Sequence, residues 1–247
     1  MTTPSHTSRR RTSRTTLAVT LVLCGAALSA CGSTTGATVS SSSLVSETGH
    51  VPTAAARQSA QIALYSEMRT LWSQHMEWTY ATVVAFADAS PALDPTINRL
   101  LRNQGDIGDA FATYYGSKAG HRLTVLLRTH IKEAVPVLVA ARAGDTNALD
   151  KAVADWYANA RDIADFLAAA NPHWKRADMR SMMHTHITQT IAYAAAVLGG
   201  SNETAIEKYD VAEAHMAEMA DMLSAGIVKQ FPERFSASTA ALASVRS

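Results

Sequence analysis

The chain has 247 residues, of which 47% are apolar and 17% charged, and its formal net charge is +1 at pH 7. This is enough apolar material for a sizeable core in one or two domains. Residues 1–30 carry four arginines and no acid, and without them 18 basic residues face 21 acidic ones, a balance that excludes an electrostatic footprint for nucleic acid.

The first 30 residues have the order of an export signal. A basic stretch from Arg9 to Arg14 precedes an apolar stretch over 17–28, which is too short to be a stable membrane span. The tetrapeptide LSAC at 28–31 resembles the lipobox of bacterial lipoproteins, which implies that Cys31 becomes the lipidated first residue of the mature chain. The alternative is an ordinary secretory signal with a chance cysteine. We therefore expect a membrane partner through the lipid and an extracytoplasmic location in the cell envelope.

Residues 31–56 are rich in Ser, Thr, Gly and Ala and lack apolar periodicity, so they are predicted to be a flexible tether. The other cysteine, Cys24, would leave with the signal, so a disulfide is not expected in the exported part. Residues 57–236 are predicted to form the folded domain, and 237–247 a C-terminal tail.

Within 57–236 the apolar residues recur at spacings of three and four, and no stretch alternates as a strand would. The pattern NQGDIGD at 103–109 returns as NARDIAD at 159–165 and HMAEMAD at 215–221, a step of 56 residues both times. Turn residues fall around Ser90, Gly144 and Gly199, in the middle of each unit. The sequence predicts an all-α helical bundle of three tandem αα-hairpins, with six main helices of about 20 residues.

Each unit carries a histidine on the apolar side of its first helix: His75, His130 and His186. Residues equidistant from the turn of an antiparallel hairpin lie at the same height, and a residue three positions further along lies about 4.5 Å away along the axis. The residues predicted to be level with these histidines are Asn103, Asn159 and His215, and those predicted one turn further along are Asp106, Asp162 and Glu218.

Six segments of the helical part stand out: LWSQHMEWT at 71–79, LLRNQGDIG at 100–108, YYG at 114–116, NPHW at 171–174, ADML at 220–223 and QFP at 230–232. Together they resemble an uncharacterised family of all-helical bacterial proteins, found with and without export signals and sometimes labelled glycosyltransferase. The resemblance covers residues 64–235 and implies a helical fold, but it supplies no activity. An all-helical domain lacks the strands of a nucleotide-sugar crevice, which speaks against the transferred label. The family pattern has Arg where this chain has Tyr80.

Two interpretations of the histidines follow from the sequence. In the first, they are core residues whose ring nitrogens are hydrogen-bonded within their own hairpins, and these bonds fix the register of the units. In the second, the hairpins converge and bring His75, His130, His186 and His215 to one site, with Asp106, Asp162 and Glu218 as further ligands or supporting groups. Such a set would suit Zn, Cu, Fe or Ni, although the asparagines are poor ligands for these metals.

These interpretations give three hypotheses for function. The domain is a lipid-anchored binding module with a metal or small-ligand site, a metal-dependent hydrolase or oxidoreductase of the envelope, or a structural, partner-binding lipoprotein. No nucleophile elbow, P-loop or dinucleotide fingerprint points to a particular reaction. A protein partner is not indicated by any motif.

The leader generates the first testable prediction. A radiolabelled fatty acid should enter the protein in a bacterial host, and Cys31→Ala should abolish the label and release or misprocess the chain, because only that thiol can carry the lipid. Membrane fractionation with autoradiography measures both effects. A Cys31→Ala protein that stays equally membrane-bound, from a parent that was never labelled, would contradict the anchor.

Overall fold

The structure, a computed structural model, describes residues 54–235. The predicted signal with Cys31, nearly all of the predicted tether and the tail lie outside this range. The described chain is helical throughout apart from short turns, contains no strand, and so confirms the all-α class. No helix in 54–235 has an apolar stretch that could cross a bilayer. The helices are α1 (Ala54–Ala87), α2 (Leu93–Tyr115), α3 (Ser117–Ala143), α4 (Thr146–Ala170), α5 (Arg176–Leu198), α6 (Asn202–Gln230) and the short α7 (Pro232–Phe235).

The turns between the helices lie where the sequence places them. Gly144 ends α3 in the left-handed region with φ 67°, a conformation that suits glycine, and Asp145 then caps α4 by accepting from the Ala148 amide at 3.0 Å. The first helix departs from prediction, because α1 has 34 residues and begins at Ala54, inside the segment assigned to the tether. Alanine has the highest helix propensity, so a run of alanines extends the helix although it shows no amphipathic pattern.

The six long helices form a closed ring. Each packs against the next in the chain, and α6 returns to pack against α1. Helix α5 also touches α1 and α3, so the first helices of the three predicted hairpins approach one another at the centre. Side chains from these three helices therefore meet on the axis of the bundle.

Equivalent positions of the three hairpins are buried together. The residue three places before each histidine is buried in all three, as Trp72, Leu127 and Met183. In the second helices, the residue four places after Asn103, Asn159 or His215 is likewise buried in all three hairpins, as Ile107, Ile163 and Met219. This agrees with the register that a 56-residue repeat requires, while the repeat itself stays a prediction.

Helices α2 and α3 approach most closely at two buried glycines. A Cβ on Gly108 would lie 1.9 Å from Thr124 Oγ1 and 2.8 Å from the Gly120 carbonyl oxygen, and a Cβ on Gly120 would lie 2.5 Å from the Gly108 carbonyl oxygen. Neither carbonyl can move without shifting its helix. The two glycines thus set the spacing of α2 and α3.

This crossing predicts opposite effects for two glycines on one helix. Gly108→Ala should lower the free energy of unfolding by roughly 1–3 kcal/mol, as overpacking does elsewhere. Gly105→Ala should leave it unchanged or raise it by about 0.5–1 kcal/mol, because its nearest neighbour is the mobile Arg128 guanidinium at 3.4 Å. Urea unfolding followed by circular dichroism measures both. Equal effects of the two substitutions would show that the close approach is not a constraint.

Candidate functional site

Three histidines meet at the centre of the bundle. His75 from α1, His130 from α3 and His186 from α5 are each only 2–3% exposed. The His186 ring centroid lies 5.5 Å from that of His75 and 5.7 Å from that of His130. These three residues are thus together, as in the second of the two interpretations, with His186 in contact with both others.

A hydrogen bond across the second hairpin fixes the tautomer of His130. Asn159 Nδ2 donates to the Leu126 carbonyl oxygen at 3.2 Å, which leaves Asn159 Oδ1 facing His130 Nδ1 at 2.9 Å. An amide oxygen only accepts, so His130 Nδ1 carries the proton and Nε2 carries a free lone pair. That Nε2 atom is buried without a partner among the described residues. The predicted level of His130 and Asn159 is confirmed by this contact.

His75 has a different partner from the one expected. Gln104 Nε2 lies 3.3 Å from His75 Nδ1, and the same amide donates to the Leu100 carbonyl oxygen at 2.9 Å and to Asn103 Oδ1 at 3.1 Å. The amide has two hydrogens and both are directed to the shorter contacts, so the 3.3 Å contact with His75 is the weakest of the three and does not fix the tautomer of His75. Sequence reasoning missed Gln104. The sequence did contain a signal: Gln104 is polar, whereas the equivalent residues of the other two units, Ala160 and Met216, are apolar, as expected of a core position.

The ring of His186 makes no hydrogen bond within residues 54–235, and its Nδ1 atom is buried without a partner. His215 lies beside the cluster rather than within its buried centre, and its repulsion adds to that of His75 and His130 in lowering the pKa of His186. It is half-buried, and its Nε2 donates to the Met182 carbonyl oxygen at 3.1 Å. Asn103 and Asn159 make the equivalent bonds to the carbonyl oxygens of the first helices in their hairpins, so His215 takes the place of an asparagine that joins two helices.

The carboxylates do not reach the histidines. Asp106 is exposed and lies 3.7 Å from Arg99, while Asp162 and Glu218 are also exposed, so the expectation that they support the cluster is corrected. Asp106 and Asp162 are three residues past the buried Asn103 and Asn159, and Glu218 is three past the half-buried His215. Three residues fall 60° short of a full turn, which places these side chains on the solvent side of their helices. Among the described residues no group of three or more His, Cys, Asp or Glu side chains is placed to hold a metal ion.

Burial keeps the imidazoles uncharged. Loss of hydration, with repulsion from His130, lowers the pKa of His75 to about 3, and loss of hydration lowers that of His130 to about 4. Burial, and then repulsion by His75 and His130, holds the pKa of His186 well below its ordinary value. At neutral pH the cluster is thus a set of neutral donors and acceptors.

Two small chambers lie beside the cluster. The first, called the histidine chamber, has a volume of about 40 Å³, and the three histidines and Trp156 are among its mostly apolar lining residues. Trp156 Nε1 is buried and has no partner within the described part of the chain. The second, the apolar chamber, has a volume of about 110 Å³. A cavity holds a water molecule once it offers about 10–15 Å³ to the probe, so both have room for a guest. They share Thr79, Val83, Ala134, Leu138, Trp156 and Thr190 as a common wall.

Comparison with known proteins adds no assignment: no protein-family model, no curated protein and no solved structure matches the chain.

The buried imidazoles predict an acid-sensitive fold. A histidine in the unfolded chain binds a proton below about pH 6.5, whereas these three bind one only at much lower pH, so the unfolded state gains protons first. Stability should be full above about pH 6.5 and fall as the pH drops from there towards 4. The slope should approach 1.4 kcal/mol per pH unit for each histidine, on the order of 4 for three.

Urea unfolding at a series of pH values between 7.5 and 4.5 measures this slope. His186→Leu should reduce it by about a third, because one of three titrating groups is removed. His184→Leu is the matched control, since His184 is exposed on the same helix, and it should leave the slope as it is. A parent protein whose stability does not change over this range would contradict the burial of neutral histidines.

Proposed function

We propose that this domain is a binding module that takes a small uncharged molecule into the histidine chamber, and that a lipid on Cys31 holds it at the extracytoplasmic face of a membrane. The single observation that carries the proposal is the unpartnered state of His186. Its ring is buried at the centre of the fold, contacts two other imidazoles and leaves Nδ1 without a hydrogen bond.

An unsatisfied polar group in a core is costly. Burial of such a group lowers stability by about 1–3 kcal/mol, and an apolar side chain of similar volume avoids this loss. The purely structural interpretation fits His75 and His130, which have Gln104 and Asn159 as partners. It does not explain His186, nor the free Nε2 of His130 and Nε1 of Trp156. The three residues that carry these unpaired atoms line one cavity whose accessible lining is almost entirely apolar, so a ligand there would have to displace side chains in order to pair with them.

A bound transition metal is a second candidate, favoured by one observation. His130 donates from Nδ1 to an amide oxygen and leaves Nε2 bare, which is how proteins commonly orient a histidine that binds a metal. His130 Nε2 and the His186 ring would be its ligands, and a metal held there would act as a Lewis acid in an envelope enzyme.

The anchored location is supported by the order of sequence features alone. A basic stretch, an apolar stretch and LSAC at 28–31 precede a Ser/Thr/Gly-rich segment. If this segment acts as the proposed tether, a chain of its length would reach roughly 25–30 Å on average. The module would then sample ligand close to the membrane surface while remaining free to turn.

The proposal predicts that two neighbouring histidines respond in opposite directions. His186→Leu should raise the free energy of unfolding at pH 7.5 by about 1–3 kcal/mol, because it removes a buried polar group that has no partner. His130→Leu should lower it by a similar amount, because it leaves Asn159 Oδ1 unpaired. Urea unfolding of the whole chain and both variants gives the values. A large loss of stability in both variants would instead make His186 a structural core residue.

Ligand binding is tested on the same proteins. Small neutral compounds with one polar group should raise the melting temperature of the parent, and His186→Leu should remove the effect although that variant is more stable. Titration with Zn²⁺, Cu²⁺, Ni²⁺ and Fe²⁺ tests the second candidate, which requires saturable binding near one ion per chain that His130→Leu abolishes. A parent that binds neither compounds nor metals overturns the proposal.

A further inference from the structure

We infer that the apolar chamber is a binding site of its own, whose ligand is a small hydrocarbon no larger than a benzene ring. This site goes beyond the proposed function, since none of the three buried histidines lines the apolar chamber. The chemistry of its wall, the small side chains that leave it open and its volume all point to such a ligand.

The wall of the apolar chamber offers no hydrogen bond to a ligand. Its lining is aliphatic apart from Thr79, Thr190 and Trp156, and polar atoms make up almost none of its accessible surface. The two hydroxyls are engaged within their helices, since Thr79 donates to the His75 carbonyl oxygen at 2.6 Å and Thr190 to that of His186 at 2.9 Å. A polar group placed here would lose its hydration without gaining a partner, so the ligand is apolar throughout. The aliphatic residues are Val83, Ala134, Val137, Leu138, Ala141, Leu149, Ile191, Ala194, Ala195 and Leu198.

The chamber is open partly because one hairpin has a small side chain at a core position. The residue eight places after each of the three histidines is buried and lines the chamber in every hairpin, as Val83, Leu138 and Ala194. The alanine in the third hairpin leaves unfilled the room that a branched side chain takes in the other two. This room lies inside the bundle, where protein interiors normally have few voids larger than a water molecule.

A second alanine widens the same space. The residue eleven places after each histidine is Phe86 in the first hairpin and Val197 in the third, but Ala141 in the second, and Ala141 lines the chamber. An unfilled cavity lowers the stability of a protein in proportion to its volume. Two alanines around one gap, at positions where the other hairpins have larger side chains, therefore support a space that a ligand fills.

The volume of the chamber sets the size of the ligand. An apolar cavity of about 150 Å³ stays dry and holds a benzene ring or xenon, and the apolar chamber has a volume of about 110 Å³. A benzene ring is thus the upper limit. Ala195 is exposed, and Leu149 and Leu198 are half-buried, so the chamber approaches the surface beside the turns that follow α3 and α5. A ligand would enter at this end of the bundle.

Benzene is the probe that tests this site. Isothermal titration calorimetry of the whole chain at pH 7.5 should give one benzene site per chain. Phenol should bind at that site about ten-fold more weakly or worse, because its hydroxyl group finds no partner in the wall. Naphthalene, with two fused rings, should not raise the melting temperature, because it exceeds the volume. An absence of saturable benzene binding, or phenol or naphthalene bound there as tightly as benzene, overturns the inference.

Substitutions at the two alanines locate the ligand. Ala194→Leu places in the chamber the side chain that Leu138 has at the equivalent position, and it should weaken benzene binding by about ten-fold or more. Ala141→Val, which copies Val197, is a smaller change and should weaken it by about three-fold or more. Ala177→Leu is the matched control, because Ala177 is exposed on the same helix as Ala194, and its effect should be less than about two-fold. Circular dichroism checks that each variant is folded, and unchanged benzene affinity in both chamber variants contradicts the assigned position.

The hydrocarbon site and the proposed function fail separately. His186→Leu alters the histidine chamber and should leave the benzene affinity within about two-fold, since His186 does not line the apolar chamber. If His186→Leu abolishes benzene binding and Ala194→Leu does not, the ligand lies in the histidine chamber, which overturns the inference and leaves the proposed function standing. If benzene binds as expected while nothing binds at the histidines, the inference stands and the proposed function fails.

Discussion

The arrangement at the centre of this bundle depends on a shortage of hydrogen-bond partners around three buried imidazoles. Each of α1, α3 and α5 brings one histidine to the axis, but the second helices supply only Gln104 and Asn159 to meet them. The third hairpin has no such group, because His215 is bound to a backbone carbonyl oxygen. The buried His186 ring, which has no hydrogen-bond partner among the described residues, lowers the stability of this core. Local departures of this kind are expected where a protein functions.

Sequence periodicity was enough to predict the all-α class and the positions of the turns, and it offered the meeting of His75, His130 and His186 as part of one of two interpretations. These depend on hydrophobic spacing and turn chemistry, which are local properties. The level of each histidine with its partner helix also followed, since hairpin geometry alone determines it. The central part of the site was thus predictable without coordinates.

Other features of the site depend on how far a side chain reaches and which way it turns. The spacing of residues in the sequence does not reveal that Gln104 lies beside His75. Nor does it reveal that Trp156 Nε1 is left without a hydrogen-bond partner among the described residues. The carboxylates were placed wrongly because a 60° offset on a helix separates core from solvent, and axial height does not reveal that offset. The two chambers are gaps between helices, and no sequence pattern reports a gap.

The position of His186 against both other rings limits the charge that the folded centre can hold. A proton on any one imidazole would repel a second at a ring separation of 5.5–5.7 Å in a poorly hydrated interior, so protonation there is anticooperative. In the folded bundle, protonation of one imidazole therefore makes protonation of the next less favourable. Acid would therefore favour unfolding of the bundle, and a ligand bound at the free nitrogens would shift that unfolding to a lower pH.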